Sequence, residues 1–385
     1  MRVKDVAQEI DKIVPLGLAQ DWDNVGLLLG SADKNVKRIL LTIDITGDVL
    51  DEAKRLRTDL ILSYHPVIWD GLKKITAGGP TDTVYELIRA GIAVFTIHTA
   101  LDAAQGGVND GLADIIGIEN AKPIGDYVNN PAGDNYKLVV FVPVDSANKV
   151  ADAVFAAGAG HIGNYSHCGF AAQGQGTFLP LEGARPTIGK RGTFEKVPEL
   201  RFETIVPADK LAKVITAMLN AHPYEVPAYD IFKLAEEQNK FGLGRIGKLA
   251  KPTQLKAIIA KIKRHTGAKA VGVVGPASPD ERASRGGREK SRRAGIKTAA
   301  VCAGSCGKII NLIIAQKADL YVTGELKHHQ ALAAQEAGLT CLCLSHTVSE
   351  RFILKKFAGQ LQKQLPSVTI TISRKDFDPF RWKEL

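Results

Sequence analysis

The sequence predicts an α/β protein in which two duplicated α/β halves, residues 1–128 and 240–385, are interrupted by a ferredoxin-like α+β insert at residues 136–235. An internal repeat predicts the duplication, because residues 37–65 align with residues 297–325 without a gap, at an offset of 260. Both segments have the pattern strand, glycine turn, helix, strand. A chain of 385 residues has room for about two or three domains, which agrees with this division.

The first half contains three short apolar runs, at residues 38–43, 59–63 and 92–97, which are separated by amphipathic helical patterns. Buried strands that alternate with helices are typical of a mostly parallel sheet. The turn-rich segment 126–134 follows this half and is predicted to be a linker.

The insert has the order strand, helix, hairpin, strand, helix, strand, which is typical of a ferredoxin-like domain. Its two halves echo each other at an offset of 64, since Val142-Pro143 recurs as Val206-Pro207. The predicted elements are strand 137–142, helix 146–157, a glycine-rich hairpin at 165–178, strand 200–206, helix 209–220 and strand 227–234.

Each half of the repeat also contains the motif His-Thr-x-x-carboxylate after an apolar strand. It occurs as His98 with Asp102 in the first half and as His346 with Glu350 in the second. In a helix, this spacing puts the imidazole and the carboxylate on one face, about one turn apart. We therefore expect each half to contribute a similar pair of side chains.

Functional groups in open α/β sheets collect at the carboxyl ends of the strands. Four predicted strand ends carry possible metal ligands: Tyr64-His65, His98 with Asp102, Glu325 with His328 and His329, and His346 with Glu350. Histidine and carboxylate without cysteine suit Zn, Mn, Fe or Ni, and a carboxylate can bridge two ions about 3.5 to 4 Å apart. The alternative is that these histidines are satisfied structural residues and that the repeated motif is a pair of helix caps.

Residues 303–308, Ala-Gly-Ser-Cys-Gly-Lys, follow a strand and open a helix in the second half. They lack the spacing of a Walker A loop, because Ile309 stands where the magnesium-binding hydroxyl is required. An anion at this helix start stays an open alternative, and a tight strand-to-helix turn is the preferred interpretation.

The formal net charge of +9 raises the question of nucleic-acid binding. Residues 281–293 hold six basic and two acidic side chains and so supply +4 of that total. A basic surface loop explains this run without a partner, so nucleic acid is not favoured.

The sequence shows no apolar run of the roughly 20 residues that span a bilayer, and its charged N-terminus has no signal-peptide core. The five cysteines form no CxxC pair and mostly lie in apolar runs, which indicates reduced, buried thiols. We therefore expect a cytoplasmic protein without a membrane segment.

Several motifs, taken in their order along the chain, resemble those of one known family. They are Trp22-Asp23-Asn24-Val25-Gly26, Ser63-Tyr64-His65-Pro66, His98-Thr99-Ala100-Leu101-Asp102, Gly242-Leu243-Gly244-Arg245-Ile246-Gly247, Thr323-Gly324-Glu325 and Ser345-His346-Thr347-Val348-Ser349-Glu350. Over almost its whole length the chain resembles the Nif-three-like dinuclear-metal proteins, whose bacterial members are known as GTP cyclohydrolase I type 2 homologues. The insert is similar to the PII/CutA-like domain of the longer members.

The resemblance implies two divalent metal ions, such as zinc, iron or manganese, between the halves. Carried over by position, the metal ligands are His65, Asp102, His346 and Glu350, with Glu350 as the bridge. Many members have a His-His pair where this chain has Tyr64-His65, so one imidazole is missing. Either Tyr64 coordinates as a phenolate, or His98 or water takes the place, or the second ion binds weakly.

The resemblance also implies a metal-dependent hydrolase that acts on a nucleotide or phosphoester-like substrate through a metal-activated water. His98 or Glu325 would then transfer protons as the catalytic acid or base. The alternative is a regulatory assembly in which the metal is structural and the insert senses a nucleotide or metabolite. Family resemblance further implies a ring-shaped homohexamer.

Overall fold

The structure, a computed structural model, describes residues 1–127, 135–162, 165–234, 241–275 and 295–380. The chain forms two compact units, one of Met1–Asn129 with Asn239–Leu385 and a smaller one of Asn130–Gln238. The basic run at 281–293 and nearly all of the predicted linker at 126–134 lie outside the described residues.

The described part of the chain contains seventeen strands. They are β1 (Gly26–Leu29), β2 (Arg38–Thr42), β3 (Leu60–Ser63), β4 (Ala93–Thr96), β5 (Ile118–Lys122), β6 (Gly125–Tyr127), β7 (Asn135–Pro143), β8 (Gly169–Phe178), β9 (Glu195–Pro207), β10 (Tyr229–Lys233), β11 (Gly242–Leu243), β12 (Arg245–Thr253), β13 (Gly272–Val274), β14 (Ile296–Cys302), β15 (Leu320–Thr323), β16 (Thr340–Cys343) and β17 (Thr369–Ile372).

The same residues contain twelve α-helices. They are α1 (Val3–Ile13), α2 (Gly47–Arg55), α3 (Asp82–Arg89), α4 (His98–Ala103), α5 (Val108–Ile116), α6 (Ala147–Ala156), α7 (Leu211–Ala221), α8 (Leu255–Thr266), α9 (Ile310–Ala315), α10 (His328–Glu336), α11 (His346–Arg351) and α12 (Ile353–Gln364). Within the described ranges, no helix has both the length and the apolar character needed to cross a bilayer.

The first sheet of the larger unit has the strand order β1-β4-β3-β2-β17. β17, β2, β3 and β4 run parallel, and β1 pairs antiparallel with β4 at the edge. The apolar runs at 38–43, 59–63 and 92–97 form β2, β3 and β4, with bounds that agree within one residue at each end. β3 and β4 are buried along their whole length, which explains why their sequences are continuously apolar.

The second sheet of this unit has the order β13-β16-β15-β14-β12-β5. Its central strands β14, β15 and β16 are parallel, and β13, β12 and β5 join them in antiparallel pairs. β5 comes from the first predicted half, whereas β17 of the first sheet comes from the second. The two predicted halves thus exchange one strand each, and both belong to one compact unit.

Both sheets of the larger unit contribute to a single apolar core, which includes Leu62 of β3, Val322 of β15 and Phe357 of α12. α1, α5, α8 and α12 pack into this core. The other face of the first sheet is covered by α2 and α3, and the other face of the second by α9 and α10. Each sheet is therefore shielded from water on both faces, and its polar chemistry is confined to the strand ends.

Two aspartates at equivalent positions of the repeat make the same hydrogen bonds. Asp59 accepts from the backbone N–H groups of Lys37 and Arg38, at the start of β2, at 2.9 Å each. Asp319, 260 positions later, accepts from the backbone N–H groups of Lys297 and Thr298, near the start of β14, at 2.9 and 3.0 Å. Asp59, which precedes β3, thus holds the start of the neighbouring strand β2, and Asp319, which precedes β15, holds the start of the neighbouring strand β14.

A buried arginine ties the second sheet to α5. Arg245, in the Gly-Leu-Gly-Arg-Ile-Gly motif, is 3% exposed and forms an ion pair with Asp110. Its guanidinium also donates to the carbonyl oxygens of Gly242 (3.0 Å) and Gly244 (2.8 Å). A charge buried this deeply is stable only when such partners satisfy it, which gives this motif a structural explanation.

The smaller unit is one antiparallel sheet with the order β10-β7-β9-β8. Leu138 and Val140 of β7 pack with Val150 of α6 and Met218 of α7 in its core. The prediction of a hairpin at 165–178 is wrong, because Gly169–Phe178 is a single strand that pairs along its whole length with β9. Glycine permits a turn but does not require one, and here the pairing with β9 fixes an extended backbone.

Candidate metal centre

A cavity of about 520 Å³ lies in the larger unit where the parallel strands of both sheets end. A residue with a distinct role follows each central strand by two or three positions: Asp44 after β2, His65 after β3, His98 after β4, Gly304 after β14, Glu325 after β15 and His346 after β16. Since parallel strands end at the same edge of a sheet, this regularity gathers the side chains of distant segments around one cavity.

Three possible metal ligands meet at the cavity. His65, His346 and Glu350 each offer one ligand atom, and these atoms all lie within 4.8 Å of one another. Nε2 of His65 is 3.3 Å from Oε2 of Glu350, and Nε2 of His346 is 3.3 Å from Oε1 of the same carboxylate. Because α11 begins at His346, Glu350 follows one turn later on the same helix face, as the four-residue spacing predicts.

The donor atoms fit a divalent metal ion. Nε2 of His65 and Oε2 of Glu350 are buried and have no partner of hydrogen-bond geometry among the described residues. Two ligands held about 2.1 Å from one tetrahedral ion lie about 3.4 Å apart, close to the separations found here. Buried polar atoms without partners are uncommon, and an ion would satisfy both.

Three histidines around the cavity share a further feature, which is that Nδ1 donates to a carboxylate. The pairs are His65 with Asp44 (2.9 Å), His98 with Asp23 (2.8 Å) and His346 with Glu325 (3.0 Å). Such carboxylate partners fix the orientation of a metal-binding imidazole and leave Nε2 as the atom that faces the metal.

The electrostatics of the metal-free cluster favour charged imidazoles. Burial opposes the imidazolium of His65, but the carboxylates of Asp44 and Glu350 outweigh it and raise its pKa to about 10. The contact with Glu350 is the main cause that raises the pKa of His346 to about 9. Burial works against ionised Glu350, yet the two histidines hold its pKa at about 2. Near neutral pH, one buried carboxylate is thus shared by two imidazolium groups.

Tyr64, the residue before His65, is fully buried. Its hydroxyl donates a short hydrogen bond to Oδ1 of Asp102. Burial and the charge of Asp102 raise the pKa of Tyr64 well above its usual range, so the side chain is a neutral donor in this structure. Burial and the charge of Glu350 raise the pKa of Asp102 to about 6.

Gly304 leaves the space in which the ligand atoms meet. A Cβ at this position would lie 2.5 Å from Oε1 of Glu350 and 3.4 Å from Nε2 of His346. Gly304 also has φ +67°, in the left-handed region that side chains other than glycine rarely adopt. The turn at 303–308 therefore has a specific role at the site, in addition to linking a strand to a helix.

Two exposed tryptophans border the cavity. Trp22 and Trp69 are 58% and 55% exposed, and both contact the ring of His98, with centroid distances of 6.0 and 5.3 Å. Nζ of Lys308 lies 5.8 Å from the Trp22 ring centroid. The mouth of the cavity therefore offers two aromatic faces and one cation next to a histidine.

The predicted site residues occupy different places around this cavity. The cluster consists of His65, His346 and Glu350. Asp102 lies beside it and accepts a hydrogen bond from the hydroxyl of Tyr64. The ring of His98 is 5.2 Å from that of His65, between centroids. Glu325 is bonded to Nδ1 of His346, the ring atom opposite the one that faces Glu350. The catalytic roles of His98 and Glu325 stay predictions.

Sequence reasoning missed Asp44, Asp23 and Gly304 as parts of the site. Asp44 follows β2 by two positions, so the strand-end rule that singled out His65 would also have found it. Asp23 lies on no strand, and only the contact with His98 reveals its part. The role of Gly304 depends on the space between two distant segments, for which the sequence carries no signal.

The fold and the donor set define a mixed α/β protein with a candidate divalent-metal site. The chain belongs to the family Duf34/NIF3 (NGG1p interacting factor 3), whose profile matches residues 1–379. The resemblance seen in the sequence motifs is thereby confirmed.

Relatives of similar length agree with this membership. A protein of Halalkalibacterium halodurans called "GTP cyclohydrolase 1 type 2 homolog" is 36% identical over 384 residues, which covers 97% of each chain. A Mycobacterium tuberculosis protein of the same name is 39% identical over 335 residues, or 86% of this chain and 83% of the relative. Among solved structures, a Bacillus cereus protein related to NIF3 has 34% identity and a TM-score of 0.78, with 100% of this chain and 99% of that chain covered.

Replacement of Gly304 by alanine is expected to abolish tight metal binding, since the new Cβ would stand against the ligand atoms of Glu350 and His346. Gly267→Ala is the matched control, because Gly267 also has a left-handed φ of +75° but no atom within 4 Å of its Cβ position. Metal content after dialysis should fall in Gly304→Ala and stay at the wild-type value in Gly267→Ala. Equal metal content in both variants would contradict the cluster as the metal site.

Metal binding should release protons at neutral pH. The pKa values of His65 (about 10) and His346 (about 9) lie above neutrality, so both imidazoles must lose a proton before they bind an ion. Apparent affinity should therefore rise with pH up to about pH 10, where His65 has also lost its proton, and about two protons should leave per ion at pH 7.5. Calorimetric titration with Mn²⁺ in buffers of different ionisation enthalpy measures this number. His346→Gln should release about one proton fewer, whereas release of none by the wild type would contradict the arrangement.

Proposed function

We propose that the protein is a metal-dependent hydrolase that acts on a nucleotide or phosphoester-like substrate. The observation that carries the proposal is the cluster of His65, His346 and Glu350, in which two buried ligand atoms lack a hydrogen-bond partner among the described residues and border a cavity of about 520 Å³. A divalent ion held there would supply Lewis acidity and a water acidic enough to ionise near neutral pH.

The side chains around the cluster suit separate tasks in such a reaction. Asp44 and Glu325 orient the two histidine ligands through Nδ1. His98, fixed by Asp23, keeps Nε2 for a proton, and we propose it as the general acid or base. We assign Glu325 to orienting His346, and proton transfer by Glu325 is the second option.

The mouth of the cavity supports a planar aromatic substrate that carries a negative charge. Trp22 and Trp69 present exposed rings on which a base can stack, and Lys308 can pair with a phosphate. The relatives named "GTP cyclohydrolase 1 type 2 homolog" make GTP the first substrate to test.

We propose two ions per chain with unequal affinity. His65, His346 and Glu350 would hold the first, while Asp102 together with water would serve the second, with Glu350 as the bridge. Asp102 already accepts a hydrogen bond from the hydroxyl of Tyr64, and position 64 supplies no imidazole as a ligand for the second ion. The second ion should therefore be the weaker one.

We further infer that the larger unit arose by duplication and that the smaller one is ferredoxin-like. The matching bonds of Asp59 and Asp319 support the duplication, and the strand order β10-β7-β9-β8 supports the second inference. Domain boundaries at 1–128, 136–235 and 240–385, a cytoplasmic location and a homohexamer remain part of the proposal.

A regulatory assembly without turnover is the alternative, and a cavity of about 500 Å³ in the smaller unit, where an effector could bind, favours it. Chelation separates the two functions. Loss of activity with an intact assembly supports the enzyme, whereas dissociation or unfolding supports a structural metal.

Tyr64→His should increase the metal content from about one retained ion per chain towards two, because it supplies an imidazole beside Asp102. Tyr64→Phe, which removes only the hydroxyl, is the control and should retain no more than one. Elemental analysis after dialysis gives the ratio. Two tightly held ions in the wild type, unchanged in Tyr64→Phe, would contradict the unequal affinities.

Metal-loaded protein should hydrolyse GTP or a model phosphoester, and metal-stripped protein should not. Glu350→Ala should fall to the metal-stripped rate, because it removes the carboxylate shared by both histidines. Glu336→Ala changes an exposed glutamate on α10 and should keep the wild-type rate. Normal metal binding without turnover in a broad substrate screen would contradict the hydrolase and leave the regulatory function.

A further inference from the structure

The smaller unit contains a cavity of about 500 Å³, within the usual size range of ligand pockets. Its walls are largely apolar and include Phe141, Phe178 and Leu179. Leu179 and Val226, which also border it, are 48% and 84% exposed. Apolar side chains in this number around a concave surface indicate a place where an apolar body can bind.

A buried carboxylate lies in this apolar cavity. Glu199, on β9, is only 7% exposed. The absence of a side chain at Gly176 makes room for it, since a Cβ there would lie 2.1 Å from Oε2 of Glu199. No lysine or arginine of the described ranges forms an ion pair with it, and this includes Arg185 at the cavity rim. An unpaired buried charge is costly, so a cationic partner would relieve it.

The polar neighbours of Glu199 do not neutralise it. His222 donates from Nε2 to the carbonyl of Phe141 (2.9 Å) and accepts at Nδ1 from the backbone of Tyr224 (3.1 Å), as a neutral imidazole does. Burial lowers the pKa of His222, in agreement with this state. The hydroxyl of Tyr224 lies beside Glu199, and burial together with this carboxylate raises the pKa of the phenol. It has no partner that meets the geometric criteria of a hydrogen bond among the described residues.

Buried side-chain polar atoms without a hydrogen-bond partner mark two places in the described structure. His65 and Glu350 mark the metal centre, and the hydroxyl of Tyr224 marks the second cavity. The second cavity is lined by the carboxylates of Glu199 and Glu225 and by the phenol of Tyr224, without the histidines that a transition-metal ion prefers. Glu225 already accepts a hydrogen bond from the backbone N–H of Arg185 (3.0 Å). A ligand that donates hydrogen bonds, carries positive charge and has an apolar body satisfies both polar groups and the walls.

We propose that this cavity binds a small organic cation, an ammonium or guanidinium group on an apolar or aromatic body, with Glu199 as its counter-ion and Tyr224 as a second polar contact. This site is separate from the metal centre, and it does not depend on the hydrolase function. The ligand proposed for this cavity is an organic cation, whereas the ligand proposed for the first cavity is an anionic nucleotide.

Three probes of one shape and different charge test the proposal: benzylamine, benzyl alcohol and benzoate. Titrations use the full chain with Glu350→Gln in the background, which removes the shared carboxylate of the metal centre as a competing counter-ion. Benzylamine should bind saturably and at least about tenfold more tightly than benzyl alcohol, and benzoate should not bind. Benzoate binding as tight as that of benzylamine, or no saturable binding of benzylamine, would overturn the proposal.

Glu199→Gln should weaken benzylamine binding at least about tenfold. Glu203→Gln is the matched control on the same strand, since Glu203 pairs with Lys137 (2.9 Å) and Arg201 (2.7 Å), and it should not change the affinity. The melting temperature adds a second readout. Because Gln removes an unpaired buried charge, Glu199→Gln should melt at the same or a higher temperature than its parent. A lower melting temperature together with unchanged benzylamine affinity would assign Glu199 a structural role and overturn the proposal.

Discussion

The two oxygens of the buried Glu350 carboxylate face two different imidazoles, those of His65 and His346. This contact joins residues from both sheets of the larger unit. His65 follows a strand of the first sheet, whereas His346 and Glu350 follow a strand of the second. The contact therefore forms only when both sheets are in place around their common core. In the metal-free protein, two protons on the imidazoles balance the buried negative charge. A divalent ion would provide the same balance with fixed geometry, which links metal binding to proton release.

The sequence predicted the parts of this site that follow a local rule. Buried strands gave continuous apolar runs, so β2, β3 and β4 were found almost to the residue, and the ends of those strands led to His65 and His98. Histidine with a carboxylate four positions later predicted the helix that begins at His346. The same strand-end rule would also lead to Asp44, but a lone aspartate after a strand is a common pattern, and the sequence analysis did not select it.

The remaining features depend on contacts between distant segments. The exchange of β5 and β17 between the two sheets could not be predicted, because it depends on which distant strand each of them pairs with. The space at Gly304 exists only relative to Glu350. The hydrogen bond from Tyr64 to Asp102 likewise could not be predicted from the motif. The sequence left four possibilities open for the missing ligand: a Tyr64 phenolate, His98, water, or a second ion that binds weakly. The hairpin predicted within 165–178 failed for the same reason, since pairing with β9 overrode the local preference of the glycines.

The buried carboxylates of the two units differ in how their charge is satisfied. Glu350 has two imidazoles, and Arg245 with Asp110 shows the same pairing in a purely structural setting. Glu199 has a phenol and no cation among the described residues. Each cavity nevertheless has a buried polar atom without a hydrogen-bond partner among the described residues, and on this ground both cavities are interpreted as binding sites.

Anomalous scattering at the absorption edge of the bound metal, from a crystal of the metal-loaded protein, tests the central claim most directly. The account predicts the strongest peak within coordination distance, about 2.0 to 2.2 Å, of Nε2 of His65, Nε2 of His346 and the carboxylate of Glu350. A peak elsewhere in the molecule, with these three side chains bound only to one another, would contradict it.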